Sequence, residues 1–288
     1  MPTSTSLPAR VGMFQPTLRP AHGTRNVETS WGDVTVIGKL GQQHANLLEL
    51  MMFSHIKSRN INERLQIMAD PHQLRVRLSN GTKYSYEQFW KLLHELEGAV
   101  IDIKTSKLRV SGHIIDEVTE TDIHGENVLR DPRKFNNASG VRSILRITFG
   151  QVVSRLIEQD IGRFYNPQPI TALQYGISMA IVRHCLTHIA QPNGGWILNN
   201  LLEVVQVTGR RRERLAELRE DATGLLLCGF GLNGNRLMRA QTPQTRVQTP
   251  PKFAKARPDA PEIAVPLEHL DLLDLPVGAL GSSFICSR

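Results

Sequence analysis

Four arginines within five residues, Arg210, Arg211, Arg212 and Arg214, are the densest concentration of one chemistry in the chain. A guanidinium group presents a planar fork of donors that fits phosphate oxygens and the O6/N7 edge of guanine. In the first turn of a helix it also acts together with the positive end of the helix dipole. The flanking residues predict such a helix. Gly194-Gly195 marks a turn, Trp196-Ile197-Leu198 is a short apolar run, and Asn199 is placed to cap a helix through Leu201, Leu202, Val204 and Val205. Thr208-Gly209 breaks it, and a second helix starts at Arg210 with Leu215, Leu218, Ala222, Leu225 and Leu226 on one face. Phe230 to Met238 then reads as a hairpin turning at Asn233-Gly234, with Arg236 just past the turn.

Helix, short turn, helix and hairpin is the order of a winged helix-turn-helix, whose second helix enters the major groove of duplex DNA by its N-terminus. Arg210, Arg211, Arg212, Arg214 and Arg236 are accordingly the candidate DNA contacts. The face opposite the leucines carries Glu213, Glu217 and Glu220, which repel phosphate and confine contact to the N-terminal end. The alternative is a solvated helix whose arginines pair with those glutamates.

The elements upstream are read in chain order. Residues 1–30 are rich in Pro, Thr, Ser and Arg and predict a mobile arm, with an apolar cluster in Arg10-Val11-Gly12-Met13-Phe14-Gln15-Pro16 that docks on something. Gly32 to Gly38 alternates as a strand, and a helix follows from about Gln43 to Lys57 with Leu47, Leu48, Met51, Met52 and Ile56 as its apolar stripe and Phe53 in the core. Gln73 to Leu78 reads as a strand with Arg75 and Arg77 on one face. Ser85 and Gln88 form a capping box for a helix buried through Phe89, Trp90, Leu92, Leu93 and Leu96 and ended by Gly98. Val100–Ile103 and Leu108–Ile115 pair around Lys104–Lys107, which repeats the winged-helix order in outline.

Residues 120–140 predict a polar loop bearing Arg130, Arg133 and Lys134, solvated or lying on DNA as a wing tip. Arg142 to Phe149 is read as a strand mixing Arg142 and Arg146 with apolar residues, Gln151 to Gln159 as a short helix, and Thr171 to Ile189 as a long one with Leu173, Ile177, Ala180, Ile181, Leu186 and Ile189 buried. His184 and His188 stand at metal-ligand spacing, but no third ligand is nearby, which predicts a polar helix face and no metal. Past Met238 a basic, proline-bearing tail leads to the acidic, leucine-rich stretch Leu267–Pro276, which has the look of a docking peptide.

At 288 residues the chain suits two small domains plus tails, and a net charge of +7 favours a polyanionic partner. Cys185, Cys228 and Cys286 are too scattered for a disulfide framework or zinc site. No apolar run reaches the ~18 residues of a spanning helix, which together with free thiols predicts a cytoplasmic protein without a membrane partner. No GxxxxGK[ST] loop, GxSxG elbow or nicking-enzyme histidine pair near a tyrosine occurs, so no catalytic residue and no cofactor is predicted.

Three groups of residues carry a family resemblance over about 10–238. They are Arg10 to Pro16; Trp31-Gly32 with Val34, Val36, Gly38 and Leu40-Gly41; and Arg146-Ile147-Thr148-Phe149 through Tyr165, Leu173, Trp196-Ile197, Leu201-Leu202 and Arg210-Arg211-Arg212. In their spacing they resemble the plasmid replication initiators (Rep), bacterial proteins with tandem winged helices. The resemblance implies binding of double-stranded DNA at repeated sites (iterons) in a plasmid origin by monomers, in equilibrium with a homodimer that represses its own gene. It further implies opening of an AT-rich segment and recruitment of the host initiator and replicative helicase, without catalysis. Some members dock the sliding clamp through Q-L-[SD]-L-F. His269-Leu270-Asp271-Leu272-Leu273 departs from that form at both ends.

The sequence thus predicts an α+β protein, mainly helical with small antiparallel sheets, in four parts. These are a mobile arm (1–30), a first winged-helix domain for dimerisation and DNA binding (31–140), a second for DNA binding (141–238) and a disordered tail with a docking peptide (239–288). Arg75, Arg77, Arg142 and Arg146 would hold phosphates while Arg210–Arg214 read bases. The competing readings are a winged-helix transcriptional repressor without a replication role, and an assembly protein whose arginines at 210–214 are dispensable.

Overall fold

The structure, a computed structural model, describes residues 1–30, 32–78, 84–106, 108–121 and 143–240. The N-terminal residues are not the mobile arm their composition predicts. They form β1 (Ser4–Thr5) and α1 (Ser6–Arg10), and Leu7, Val11, Met13 and Phe14 are buried in the first of two hydrophobic cores. The apolar cluster in the arm docks on the chain itself. At Thr17 the arm passes between Gly41 and Gly176. A Cβ on either glycine would come within 2.6 Å of the Thr17 main chain, so no larger residue fits at either place.

The first core is built on two antiparallel sheets. β2 (Gly23–Thr29), β3 (Gly32–Gly38) and α2 (Gln42–Ser54) come first, and α2 buries Leu47, Leu50, Met51 and Met52. The helix ends three residues earlier than its apolar stripe predicts, which leaves Ile56 outside it and Phe53 45% exposed. The hairpin of β4 (Lys57–Ile61) and β5 (Arg64–Ala69) turns on Asn62 and Glu63, both at positive φ as a two-residue turn of this hand requires. Then come α3 (Pro71–Arg77), α4 (Tyr86–Glu97), β6 (Val100–Lys104), β7 (Arg109–His113), β8 (Ile115–Thr121), β9 (Ile144–Phe149) and α5 (Gln151–Gln159). The sheets run β2-β3-β6-β7 and β4-β5-β9-β8.

The strand read over Gln73–Leu78 is a helix. Asp70 caps it, accepting from the amides of His72 (2.8 Å) and Gln73 (3.3 Å), and Pro71 opens its first turn. α4 follows its sequence signature. The Gln88 amide donates to Ser85 Oγ at 3.1 Å, the Ser85 amide to Gln88 Oε1 at 3.2 Å, and Phe89, Leu92, Leu93 and Leu96 are buried. Trp90 is half-buried.

The division expected at residue 140 lies further on. Leu145, Ile147, Phe149, Val152 and Leu156 belong to the first core, because β9 pairs with β5 and β8. The second core follows β10 (Gly162–Arg163), which pairs back with β1. It contains α6 (Gln168–Thr171), α7 (Gly176–Leu186), β11 (Trp196–Ile197), α8 (Leu198–Val204), α9 (Arg211–Glu220), α10 (Ala222–Leu227), β12 (Phe230–Asn233) and β13 (Arg236–Arg239).

The helix predicted over Thr171–Ile189 is shorter at both ends: Thr171 closes the separate α6, and α7 runs only from Gly176 to Leu186. Asp221, 4% exposed, accepts from the amides of Gln174 (2.9 Å) and Tyr175 (3.0 Å) and holds the turn between them. The same residue divides the long second helix read from Arg210 into α9 and α10. Ile189, predicted to be buried, is 84% exposed, and Leu226, placed on the apolar face of the second helix, is 56% exposed. Asn199 lies inside α8, whose N-cap is Ile197. No helix among the described residues is long and apolar enough to cross a membrane.

Candidate nucleic-acid interface

The three strands of the second core are ordered β11-β13-β12. Trp196 faces Leu237 across β11 and β13, and Asn233 faces Arg236 across the hairpin with Gly234 at positive φ in its turn. α8 and α9 lie in sequence between β11 and the hairpin, and α9 packs on α7 and α8. The turn between α8 and α9 is fixed by two reversed bonds at the end of α8. The Gln206 amide donates to Glu203 O and the Val207 amide to Leu202 O, both at 3.0 Å. Gln206 takes the left-handed conformation (φ 56) that glycine usually occupies there. Gln206→Gly is therefore expected to raise stability by about 0.5–1 kcal/mol, read as a higher urea midpoint at unchanged slope.

Arg210 caps α9, and Arg211, Arg212 and Arg214 lie in its first turn, so the structure gathers all four at one helix end. Three of them are held by acids. Arg210 meets Glu213 at 3.4 Å, Arg211 meets Glu203 at 2.6 Å, and Arg214 meets Glu217 at 2.6 Å while also donating to Thr208 O. Arg212 is exposed and makes no ion pair among the described residues. The side chains of Arg210 and Arg211 are 87% and 64% exposed, and exposed pairs of this kind contribute about 0–1 kcal/mol. An arriving phosphate can exchange for such a carboxylate at little cost.

Arg236 is more committed. Its Nη1 donates to Gly194 O (3.0 Å) and Gly195 O (3.4 Å), tying the hairpin to the glycine turn ahead of β11. Both glycines have positive φ, and a Cβ on Gly195 would fall 2.5 Å from Leu237 O. Arg75, Arg77 and Arg146 sit on elements of the first core and are not brought to α9. Arg75 donates from Nε to Tyr84 O (2.8 Å), Arg77 ends α3, and Arg146 is half-buried in β9 opposite Met68 and Thr119. Arg142, the loop arginines and the peptide His269–Leu273 lie outside the described residues.

His184 and His188 meet with their Nε2 atoms 3.2 Å apart, and His188 packs edge-on against Trp196. Burial, then the neighbouring His188, depresses the pKa of His184 to about 4. Among the described residues no three His, Cys, Asp or Glu side chains converge as a metal site. Three guanidinium groups close over this end of α7. Arg10 and Arg163 donate to Thr187 O, and Arg239 donates to His188 O and Ile189 O.

A polar cluster between the two cores has no counterpart in the sequence reading. Arg183 of α7, 5% exposed, donates from Nε to Glu49 Oε1 (2.8 Å) and from Nη2 to Glu49 Oε2 (2.9 Å), and also bonds Gln42 and Asn46. Tyr165 Oη donates to the same carboxylate at 2.7 Å. The available signal was that Glu49 is the one acidic residue of α2 and Arg183 the one Lys or Arg of α7. Comparison with protein-family models, with curated proteins and with solved structures finds no match.

Proposed function

We propose that the chain binds duplex DNA through a winged helix formed by its second core, and that it acts as a plasmid replication initiator. The observation that carries this reading is the exposed arginine cluster at the N-terminus of α9, set between α8 and a hairpin whose strands are ordered β11-β13-β12. In this reading α9 enters the major groove, with Arg212 free to read bases and Arg210, Arg211 and Arg214 exchanging carboxylates for phosphates. Helices α3 and α4 with β6 and β7 make the first of two tandem winged domains. The partners in this reading are repeated origin sites, a second copy of the chain, the host initiator and helicase, and the sliding clamp through His269–Leu273. Compartment and partners rest on the resemblance stated above.

Alanine at Arg210, Arg212 and Arg214 together is expected to lower specific duplex affinity about 100-fold or more with the fold intact, measured by titration of duplexes selected from random DNA. Unchanged affinity overturns the assignment of α9. Selected duplexes carrying direct repeats spaced by whole turns, ~10 bp each, support an initiator. A single inverted repeat over a promoter supports a repressor instead.

A further inference from the structure

The Arg10–Pro16 segment of the arm lies against the turn that aims α9, and two helices end there in the same way. α1 closes with the Met13 amide donating to Pro8 O at 3.0 Å, and Gly12 just before it is left-handed (φ 62). α8 closes with the Val207 amide donating to Leu202 O at 3.0 Å, and the left-handed residue is Gln206. The two reversals meet. The Gln206 side-chain amide lies 3.7 Å from the point where a Cβ would stand on Gly12. Val205, Gly12 and Phe14 also wall one cavity together with Glu49 and Arg183.

The two reversals are not made from the same residue. Glycine takes the left-handed conformation without strain, and the arm uses it. At position 206 the chain carries glutamine, which gives up stability there. What glutamine adds is a side chain long enough to reach the arm. α9 needs such a support, because it buries Leu218, about two turns beyond Arg211, while Arg211, Arg212 and Glu213 are exposed. The end that carries the arginines therefore takes its direction from the turn at Val205–Gly209. The arm, in contrast, is held firmly. Val11, Met13 and Phe14 are buried in the first core, and Arg10 donates to Thr187 Oγ1 at 3.1 Å and to Thr187 O at 2.9 Å.

We propose that Gln206 and Gly12 are positioning residues for duplex binding. The arm, fixed on the first core, supports the turn between α8 and α9 through this contact and sets the direction in which the α9 arginines enter the groove. This role depends on α9 binding duplex DNA. It gives the arm a task that its strand pairing and burial alone do not require. Coupling of this kind is reciprocal, so a duplex gripped by α9 also tightens the arm on the first core.

The test titrates the full chain with a duplex that the parent selects from random DNA. Gln206→Gly is expected to raise the urea midpoint and yet to weaken duplex binding about fivefold or more, a split that a merely structural residue does not give. Gln206→Asn also tolerates the left-handed conformation but falls one methylene short of the arm, and it carries the same expectation for binding. Gly12→Ala strains the reversal of the arm and is expected to weaken binding by a similar factor. The double variant Gly12→Ala, Gln206→Gly is expected to bind within about twofold of the weaker single variant, because both substitutions break one contact. If circular dichroism shows that Gly12→Ala fails to fold, hydrogen exchange at the Val11 and Met13 amides of Gln206→Gly takes its place, with faster exchange than in the parent expected. A parent that selects no duplex overturns the α9 reading and this role together. With a parent that binds, Gln206→Gly binding within about twofold of it, additive losses in the double variant, or unchanged exchange in the arm overturns the role of the arm alone.

Discussion

Arg183→Met is expected to destabilise the protein by about 3–5 kcal/mol, because it strands the Glu49 carboxylate in a site that is 5% exposed. In the native chain that carboxylate accepts two bonds from Arg183 and one from Tyr165. Without the guanidinium the remaining donor is a phenol, and burial already holds the Tyr165 proton well above its usual range. Urea denaturation at neutral pH reads the effect as a lowered midpoint. The double variant Arg183→Met, Glu49→Met is expected to recover at least half of the loss, because the stranded charge leaves with its partner. A double variant as unstable as the single one would mean that Arg183 contributes by filling space and not by neutralising Glu49. The cluster joins α2 of the first core to α7 of the second, so its loss is expected to separate one cooperative transition into two.

The second large effect is acid lability at the end of α7. His184 is buried with its pKa lowered to about 4, whereas an unfolded histidine titrates near 6.5. Between those values the unfolded chain takes up a proton that the folded chain refuses. Stability from this site is therefore constant above about pH 6.5 and falls as the pH drops, by about 3 kcal/mol at pH 4. The surroundings reinforce the refusal. The Nε2 of His188 stands 3.2 Å away and Arg10 adds a further positive charge nearby, while a bond to the Ala9 main chain partly opposes them. His184→Phe keeps a ring against His188 and removes the titrating nitrogen. Its stability is expected to fall by about 2–3 kcal/mol less than the parent's between pH 7 and pH 4, measured as urea midpoints at each pH. Identical pH slopes would assign the acid sensitivity to other groups.

Legibility in the sequence followed how local the deciding interaction is. Ser85 and Gln88 bond across three residues, and that spacing alone placed α4. α5 was read with the bounds Gln151–Gln159 that it has, and Asn233-Gly234 marked the last hairpin. The α3 segment was misread because Arg75-Val76-Arg77 alternates like a strand, and six residues cannot separate a period of two from one of 3.6. The decisive signal, Asp70-Pro71, lay just ahead of it. The arm was misread because its polar composition hides four core residues. Asp221 gives no local hint that its carboxylate will hold a turn 46 residues upstream. At the candidate sites the α9 arginines were legible because they are contiguous. Arg183 and Glu49 are 134 residues apart, and the half-buried Trp90 was placed on the buried face because it follows Phe89 in sequence.

The position of the arm also sets an order of events during synthesis. Ser4 and Thr5 pair with Arg163 and Gly162, Thr3 bonds Tyr165, and Arg10 bonds Thr187, so these residues find their partners more than 150 positions later. At ribosomal rates of about 5–20 residues per second they wait roughly ten to thirty seconds for those partners to emerge. During that interval β1 and α1 lack the partners that hold them, among them Asp160, Ile161, Arg163 and Thr187. A nascent chain stalled before residue 160 should consequently expose its N-terminus to protease, and one released after Thr187 should protect it.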